Sequence, residues 1–210
     1  MSEPTTLDTH VLQRSAEHLA ECYAGVFSPE TVERYVFESY ATLSRTAKVR
    51  TYLASTASHF ADNRLRALAQ SEGKIASPVP QVLFVCVHNI GRSQIAAALL
   101  THHAGDKVEV RSAGSLPGSE VHPLVVQALA ERGIDLSGAY PKPLTDDVVR
   151  AADYVITMGC GDACPVYPGK RYLDWEIADP AAETPDGVRA IVDAIDTRVK
   201  ALWDELRSAT

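Results

Sequence analysis

Twenty residues, QVLFVCVHNIGRSQIAAALL (81–100), constrain this chain more than any other stretch. The run QVLFVC is apolar without alternation and too short for an independent helix, which reads as a strand buried on both faces. A loop containing Asn89 and Gly91 follows, and helical spacing begins at once with Arg92. A strand buried on both faces that hands directly to a helix needs a parallel sheet covered by helices on each side. The pattern then repeats. VEVRSAG (108–114) is a second strand, 121–132 a helix closed by Gly133, 144–151 a helix, and DYVITM (153–158) a third strand. KRYLDW (170–175) reads as a short fourth strand and 188–206 as a long last helix. The expected fold class is α/β, a four-stranded parallel sheet with helices on both faces.

Nothing before residue 80 reads as a strand. Val11, Leu12, Ala16, Leu19, Tyr23 and Val26 follow helical spacing. Ser28-Pro29-Glu30 supplies an N-cap, a proline at the first helical position and an acid in the first turn. Val32, Tyr35, Val36, Tyr40 and Leu43 lie behind it, and Leu53, Ala57, Phe60, Ala61, Leu65 and Leu68 mark a third helix. SEGKIASPVP (71–80) reads as a linker. The expected organisation is a three-helix bundle over 1–76, serving dimerisation or docking, and the α/β domain over 77–210. Tyr23, Tyr35, Tyr40, Tyr52 and Phe60 are expected in the bundle core or an interface, and Cys22 in the core. A lone bundle of this size is marginal without a partner, so a homodimer through these helices is expected.

The net charge is −7, about −1 of it on residues 1–76 and −6 on the rest. That argues against a nucleic-acid binder. No apolar run reaches the length of a membrane span, and MSEPTTLDTH lacks the apolar core of a signal peptide, so a cytoplasmic, reducing location is expected. Four cysteines, at 22, 86, 160 and 164, are then more suited to catalysis or redox exchange than to structural staples.

Cys86 ends the first strand, where open α/β sheets bind ligands. The loop Val87, His88, Asn89, Ile90, Gly91 and Arg92 leads into a helix N-terminus, whose amides carry partial positive charge. Amides curled inward make a nest for a tetrahedral oxyanion. Gly91 permits a tight or left-handed backbone, and Asn89 tolerates left-handed geometry. Arg92 adds a planar fork of donors, and Ser93 can donate to the sulfur. Thiolates are favoured at helix N-termini beside cations. Cys86 is expected to be a nucleophile aimed into an oxyanion cradle.

These residues resemble the phosphate loop of the low-molecular-weight protein tyrosine phosphatase superfamily, which includes a branch of arsenate reductases. The resemblance covers about residues 81–207. It implies Cys86 as nucleophile, Arg92 as oxyanion clamp, Ser93 as thiolate stabiliser, and Asn89 as loop brace with Ser112 as its partner. It also matches Asp179-Pro180 to the family's acid, which would protonate the departing oxygen. Three features depart from the phosphatases: Gly91 in place of a second loop cysteine, Ala181-Ala182 in place of aromatics after the Asp-Pro pair, and Ser93-Gln94 in place of Ser-Pro.

The stretch VITMGCGDACPVYPGK (155–170) resembles the resolving-cysteine region of arsenate reductases. On a helix, a spacing of four holds Cβ atoms about 5–6 Å apart, and a disulfide needs about 3.5–4.5 Å. Cys160 and Cys164 could therefore bridge only after local unwinding, which Gly159 and Gly161 allow. No second half of a zinc site accompanies them, so no metal and no bound cofactor are expected. The resemblance implies an arsenate reductase of the arsenic-resistance, detoxifying kind. Cys86 would form a thiol–arsenate adduct, with Cys160 and Cys164 resolving it for thioredoxin. The alternatives are a mycothiol-coupled reductase recycled by a glutaredoxin-like protein, or a low-molecular-weight protein tyrosine phosphatase acting on phosphotyrosine or a small arsenate-like ester.

Overall fold

The computed structural model describes residues 4–159 and 164–208. It divides into two compact units, Met1–Ala76 and Ser77–Thr210.

The first unit holds α1 (Thr6–Cys22), α2 (Pro29–Leu43) and α3 (Leu53–Ser71), each packed on the other two. Helix α1 starts earlier than its apolar spacing predicts. Thr5 and Asp8 form a capping box there, satisfying two amides of the first turn. Ser28 caps α2 by accepting from Thr31 N, and Pro29 opens the helix as expected. Leu12, Val32, Val36, Ala57, Ala61 and Leu65 have no exposed surface. Tyr40 and Phe60 join them in the core, whereas Tyr52 is exposed. Cys22 is also exposed, contrary to expectation: it lies beside the stripe Leu12, Ala16, Leu19 and Tyr23, not on it, with its sulfur 3.7 Å from His18 Nε2.

The second unit is a four-stranded parallel sheet in the order β2-β1-β3-β4. Its strands are β1 (Gln81–Cys86), β2 (Glu109–Gly114), β3 (Tyr154–Met158) and β4 (Arg171–Asp174). Its helices are α4 (Arg92–Ala104), α5 (Pro123–Ala130), α6 (Asp146–Ala151) and α7 (Pro185–Ser208). Strand β1 is central and wholly buried. Strand residues alternate between faces. Val82, Phe84 and Cys86 therefore point together into the core shared with α4, α5 and α7, while Leu83 and Val85 point to the opposite face, where α6 packs. Burying a side chain such as Phe84, in ring contact with Trp175, contributes about 2–3 kcal/mol.

Helix α5 is shorter than predicted. Pro123 fixes its first turn, and Gly133, at φ 75°, closes the turn beyond it. Helix α7 is longer than predicted, because Thr184 Oγ1 accepts from Gly187 N and starts it before the apolar stripe begins. No helix among the described residues is long and apolar enough to cross a membrane.

Candidate active site

The chain leaves β1 with β2 on one side and β3 on the other. This is the switch point at which a parallel sheet opens a crevice beyond its carboxyl ends. Cys86 stands there, 2% exposed. Its sulfur lies 3.0 Å from Ser93 Oγ and accepts from Asn89 N at 3.2 Å. Ser93 Oγ itself accepts from Asn89 Nδ2 at 2.7 Å, which leaves its own hydrogen free to donate to sulfur. Asn89 Oδ1 accepts from Gln94 Nε2 at 3.0 Å and from Lys142 N at 2.8 Å. Donors thus run from Gln94 and Lys142 through Asn89 and Ser93 and terminate on the sulfur, an arrangement that suits an anionic acceptor.

The loop backbone is oriented by its carbonyls. Those of Cys86, Val87, His88 and Ile90 accept from the amides of Ser115, Leu116, Gly118 and His122 at 2.8–3.1 Å. Asn89 O accepts from Gln94 Nε2. A trans peptide points its N–H opposite its C=O. Tying the carbonyls to segment 115–122 therefore turns the N–H groups of 87, 88, 89 and 91 to the other side, as an anion nest requires. Asn89 takes the left-handed backbone at φ 51°. Gly91 does not: its φ is −138°, and what it provides is space, because a Cβ there would meet Pro180 Cγ at 2.5 Å. Gly114 is close-packed in the same way, since a Cβ would lie 2.8 Å from Val87 O.

Arg92 opens α4, with its side chain 11% exposed. Its Nη2 donates to Asp179 Oδ2 at 2.9 Å, and Nη1 lies 3.5 Å from Ile177 O. Gly159, at φ 73°, covers the guanidinium so closely that a Cβ would be 2.8 Å from Nη1. Asp179 Oδ1 accepts from Ala181 N at 3.0 Å and so caps the 3-10 turn Pro180–Ala182. The carboxylate is consequently fixed at the mouth of the loop, across from the thiol's helix N-terminus.

The structure brings Cys86, Asn89, Arg92, Ser93 and Asp179 together. It corrects the partner of Asn89: Ser112 sits on β2 opposite Phe84 in register, and the Asn89 side chain is taken up by Ser93, Gln94 and the Lys142 amide. Cys160 and residues 161–163 lie outside the described residues. Cys164 is buried and not in a disulfide. Burial, and then the neighbouring Cys164, push the Tyr172 hydroxyl pKa up. Gln94 and the 115–122 segment had no role assigned from sequence. Lys142 also adds a cation behind the loop. Its Nζ donates to Tyr140 O at 3.1 Å, and burial pushes its pKa down to about 8. Among the described residues no group of three or more His, Cys, Asp or Glu side chains could hold a metal ion.

A thiol at the bottom of such a nest, with an arginine and an Asp-Pro pair at its mouth, defines the class. The chain belongs to the low molecular weight phosphotyrosine protein phosphatase family, whose model matches residues 81–210. Residues 12–69 match a second model, the N-terminal domain of protein-tyrosine-phosphatase-like proteins. The thioredoxin-dependent arsenate reductase of Corynebacterium glutamicum is 60% identical, with a TM-score of 0.89 over 96% of this chain and 99% of that one. The YwlE arginine phosphatase of Geobacillus stearothermophilus is 29% identical, with a TM-score of 0.55 over 62% of this chain and 94% of that one. An arsenate reductase of Shouchella clausii is 36% identical over 129 residues, 57% of this chain and 91% of that one.

Proposed function

We propose that this chain reduces arsenate to arsenite, with an external thiol system as electron donor. The observation that carries the reading is the buried Cys86 sulfur, held by Ser93 and Asn89 beneath a loop whose carbonyls are all tied outward. That arrangement serves attack on phosphorus or arsenic alike. The reductase branch is supported by the C. glutamicum enzyme, whose likeness extends over the N-terminal helices as well as the site. Ala181 and Ala182, which offer no aromatic wall for an aryl ester, support it too.

Arsenate enters the nest and replaces Asp179 as the acceptor of Arg92. Cys86 Sγ attacks arsenic, an As–O bond breaks, and the departing hydroxyl leaves as water with the proton that Asp179 delivers. A second thiolate then attacks Cys86 Sγ. An S–S bond forms and the S–As bond breaks. Its electron pair stays on arsenic, which falls from arsenic(V) to arsenic(III) and departs as arsenite. In this reading Cys160 is the second thiol. Cys164 then attacks Cys160, frees Cys86 and leaves the Cys160–Cys164 disulfide for thioredoxin. Such a relay operates in a reducing compartment such as the cytoplasm.

Turnover of arsenate with thioredoxin, thioredoxin reductase and NADPH, set against hydrolysis of p-nitrophenyl phosphate, tests the activity. Hydrolysis without arsenate-dependent NADPH oxidation overturns it in favour of a phosphatase. Cys164→Ser should trap a Cys86–Cys160 disulfide after one turnover, visible by mass spectrometry of thiol-blocked digests. Normal turnover of both Cys160→Ser and Cys164→Ser with a small thiol would replace the relay with a mycothiol-type route. The Met1–Ala76 unit is assigned to homodimerisation. Its exposed Leu7, Val49 and Tyr52 support that assignment, and light scattering that finds a monomer at micromolar concentration would refute it.

A further inference from the structure

We infer that Gly91 is a positioning residue for the acid: the absence of a side chain there sets how closely the Asp179-Pro180 turn approaches the oxyanion loop. The inference rests on the reading of Asp179 as the proton donor. A Cβ built on Gly91 meets Pro180 Cγ at 2.5 Å and Cδ at 3.3 Å, so the proline ring fills the place a side chain would take. Gly91 φ is −138°, outside the left-handed region, so the need for glycine here comes from the neighbour. Pro180 is buried, and it is rigidly tied to the acid. The two are adjacent in sequence, the ring fixes its own φ, and Asp179 Oδ1 holds Ala181 N at 3.0 Å. The turn therefore moves as one piece.

The magnitude follows from contact distances. Carbon atoms rest at about 3.5–4.0 Å. With the Asp179-Pro180 turn packed as it is in this chain, a Cβ added at 91 must push Pro180 outward by roughly 1 Å, and a misplacement of that size at a reacting group costs on the order of 10²-fold. The same movement would stretch the 2.9 Å Arg92–Asp179 contact beyond hydrogen-bonding range. The oxyanion nest would remain, because its carbonyls are tied to segment 115–122, not to the acid turn.

The test is a double-variant cycle on the full chain with Gly91→Ala, Pro180→Ala and their combination. It is run with arsenate and with phenyl phosphate, and Asp179→Asn serves as reference. Gly91→Ala should lower kcat by roughly 10²-fold toward the Asp179→Asn level, while calorimetric affinity for inorganic phosphate does not fall, since the anion no longer displaces Asp179 from Arg92. In the Pro180→Ala background, where the two nearest ring atoms are gone, the same substitution should cost little. In the Asp179→Asn background it should cost nothing further. Equal losses with and without the proline ring overturn the inference, as does phosphate affinity falling in step with kcat. A wild type inert to arsenate but active on phenyl phosphate sinks the reductase reading alone, since the cycle still reports on the ester. Inactivity toward both removes the acid role, and the inference with it.

Discussion

The two units place their polar groups differently. In the N-terminal unit they tie helix to helix. Tyr23 OH donates to Asp62 Oδ1 at 2.8 Å, Tyr40 OH to Asp8 Oδ2 at 3.0 Å, and Arg64 Nη1 to Ser39 Oγ at 3.2 Å. The three bonds lie at three different helix pairs; Tyr40 OH also accepts from Arg50 Nη2 at 3.1 Å, but none of the three ends on a thiol. In the sheet unit, Asn89, Ser93 and Gln94, all buried, lie within six residues of one another and converge on one sulfur. Burying a polar group costs free energy unless it is bonded, so distributed pairs are what packing alone selects. Several buried polar side chains ending on a single sulfur go beyond that, and fit the proposed role of Cys86 as a reacting atom held in place.

Breaking the point of convergence should have the largest effect. Cys86→Ser is expected to lower arsenate turnover by about 10⁴-fold or more, the scale of losing a covalent nucleophile, with melting temperature little changed. Turnover at the wild-type rate would remove the functional half of the contrast. Arg92→Lys should also be severe, because a point charge cannot replace the bidentate fork.

Asn89→Ala sharpens the contrast, because it should injure both activity and stability. It forces alanine to φ 51° and strips partners from Ser93, Gln94 and the Lys142 amide. Destabilisation of about 3 kcal/mol is expected in denaturant titrations, from left-handed strain and unmet donors together. Asn89→Gly accepts that backbone and should recover about 1 kcal/mol of it without restoring turnover. Equal behaviour of the two variants would mean that the left-handed turn carries no strain.

The smallest effect belongs to the bundle. Tyr23→Phe removes the hydroxyl that donates to Asp62 Oδ1 and lies 3.3 Å from Asp62 O. It should cost about 1 kcal/mol, read as a lower midpoint of thermal unfolding, with kcat per folded molecule unchanged. A fall in kcat would show that the bundle has a catalytic part, and the contrast would fail.

What the sequence made legible was local. The strand-to-loop-to-helix passage at 81–100, the Ser28-Pro29 cap and the left-handed Asn89 each depend on neighbours a few residues away. What it concealed was set by contacts distant in the chain. Gly91 reads as a residue for a tight or left-handed backbone until Pro180 is seen against it. The family resemblance implies Ser112 as the partner of Asn89, yet the bond goes to the Lys142 amide, which carries no side-chain signal at all. Gln94 marks a branch of the family by its identity; two of its bonds, to Asn89 O and Oδ1, are local, but the third, to Tyr140 O, reaches a loop 46 residues downstream. Cys22 shows the converse. A stricter use of the 3.6-residue period would have placed it off the buried stripe.

The central position of β1 governs the order in which a growing chain can become competent. Its neighbours are β2, where Gln81 pairs with Glu109, and β3, where Val82 pairs with Tyr154. At roughly 5–20 residues per second of synthesis, the second edge of β1 waits about 4–14 s for its partner. The three N-terminal helices, whose contacts are local, can close in that interval. Until β3 arrives, Cys86 has no second wall, and until Asp179 arrives its loop has no acid at the mouth. The proposed nucleophile is therefore made early and walled in late: until β3 and the acid turn arrive, it lacks the partners that bury it in the folded chain.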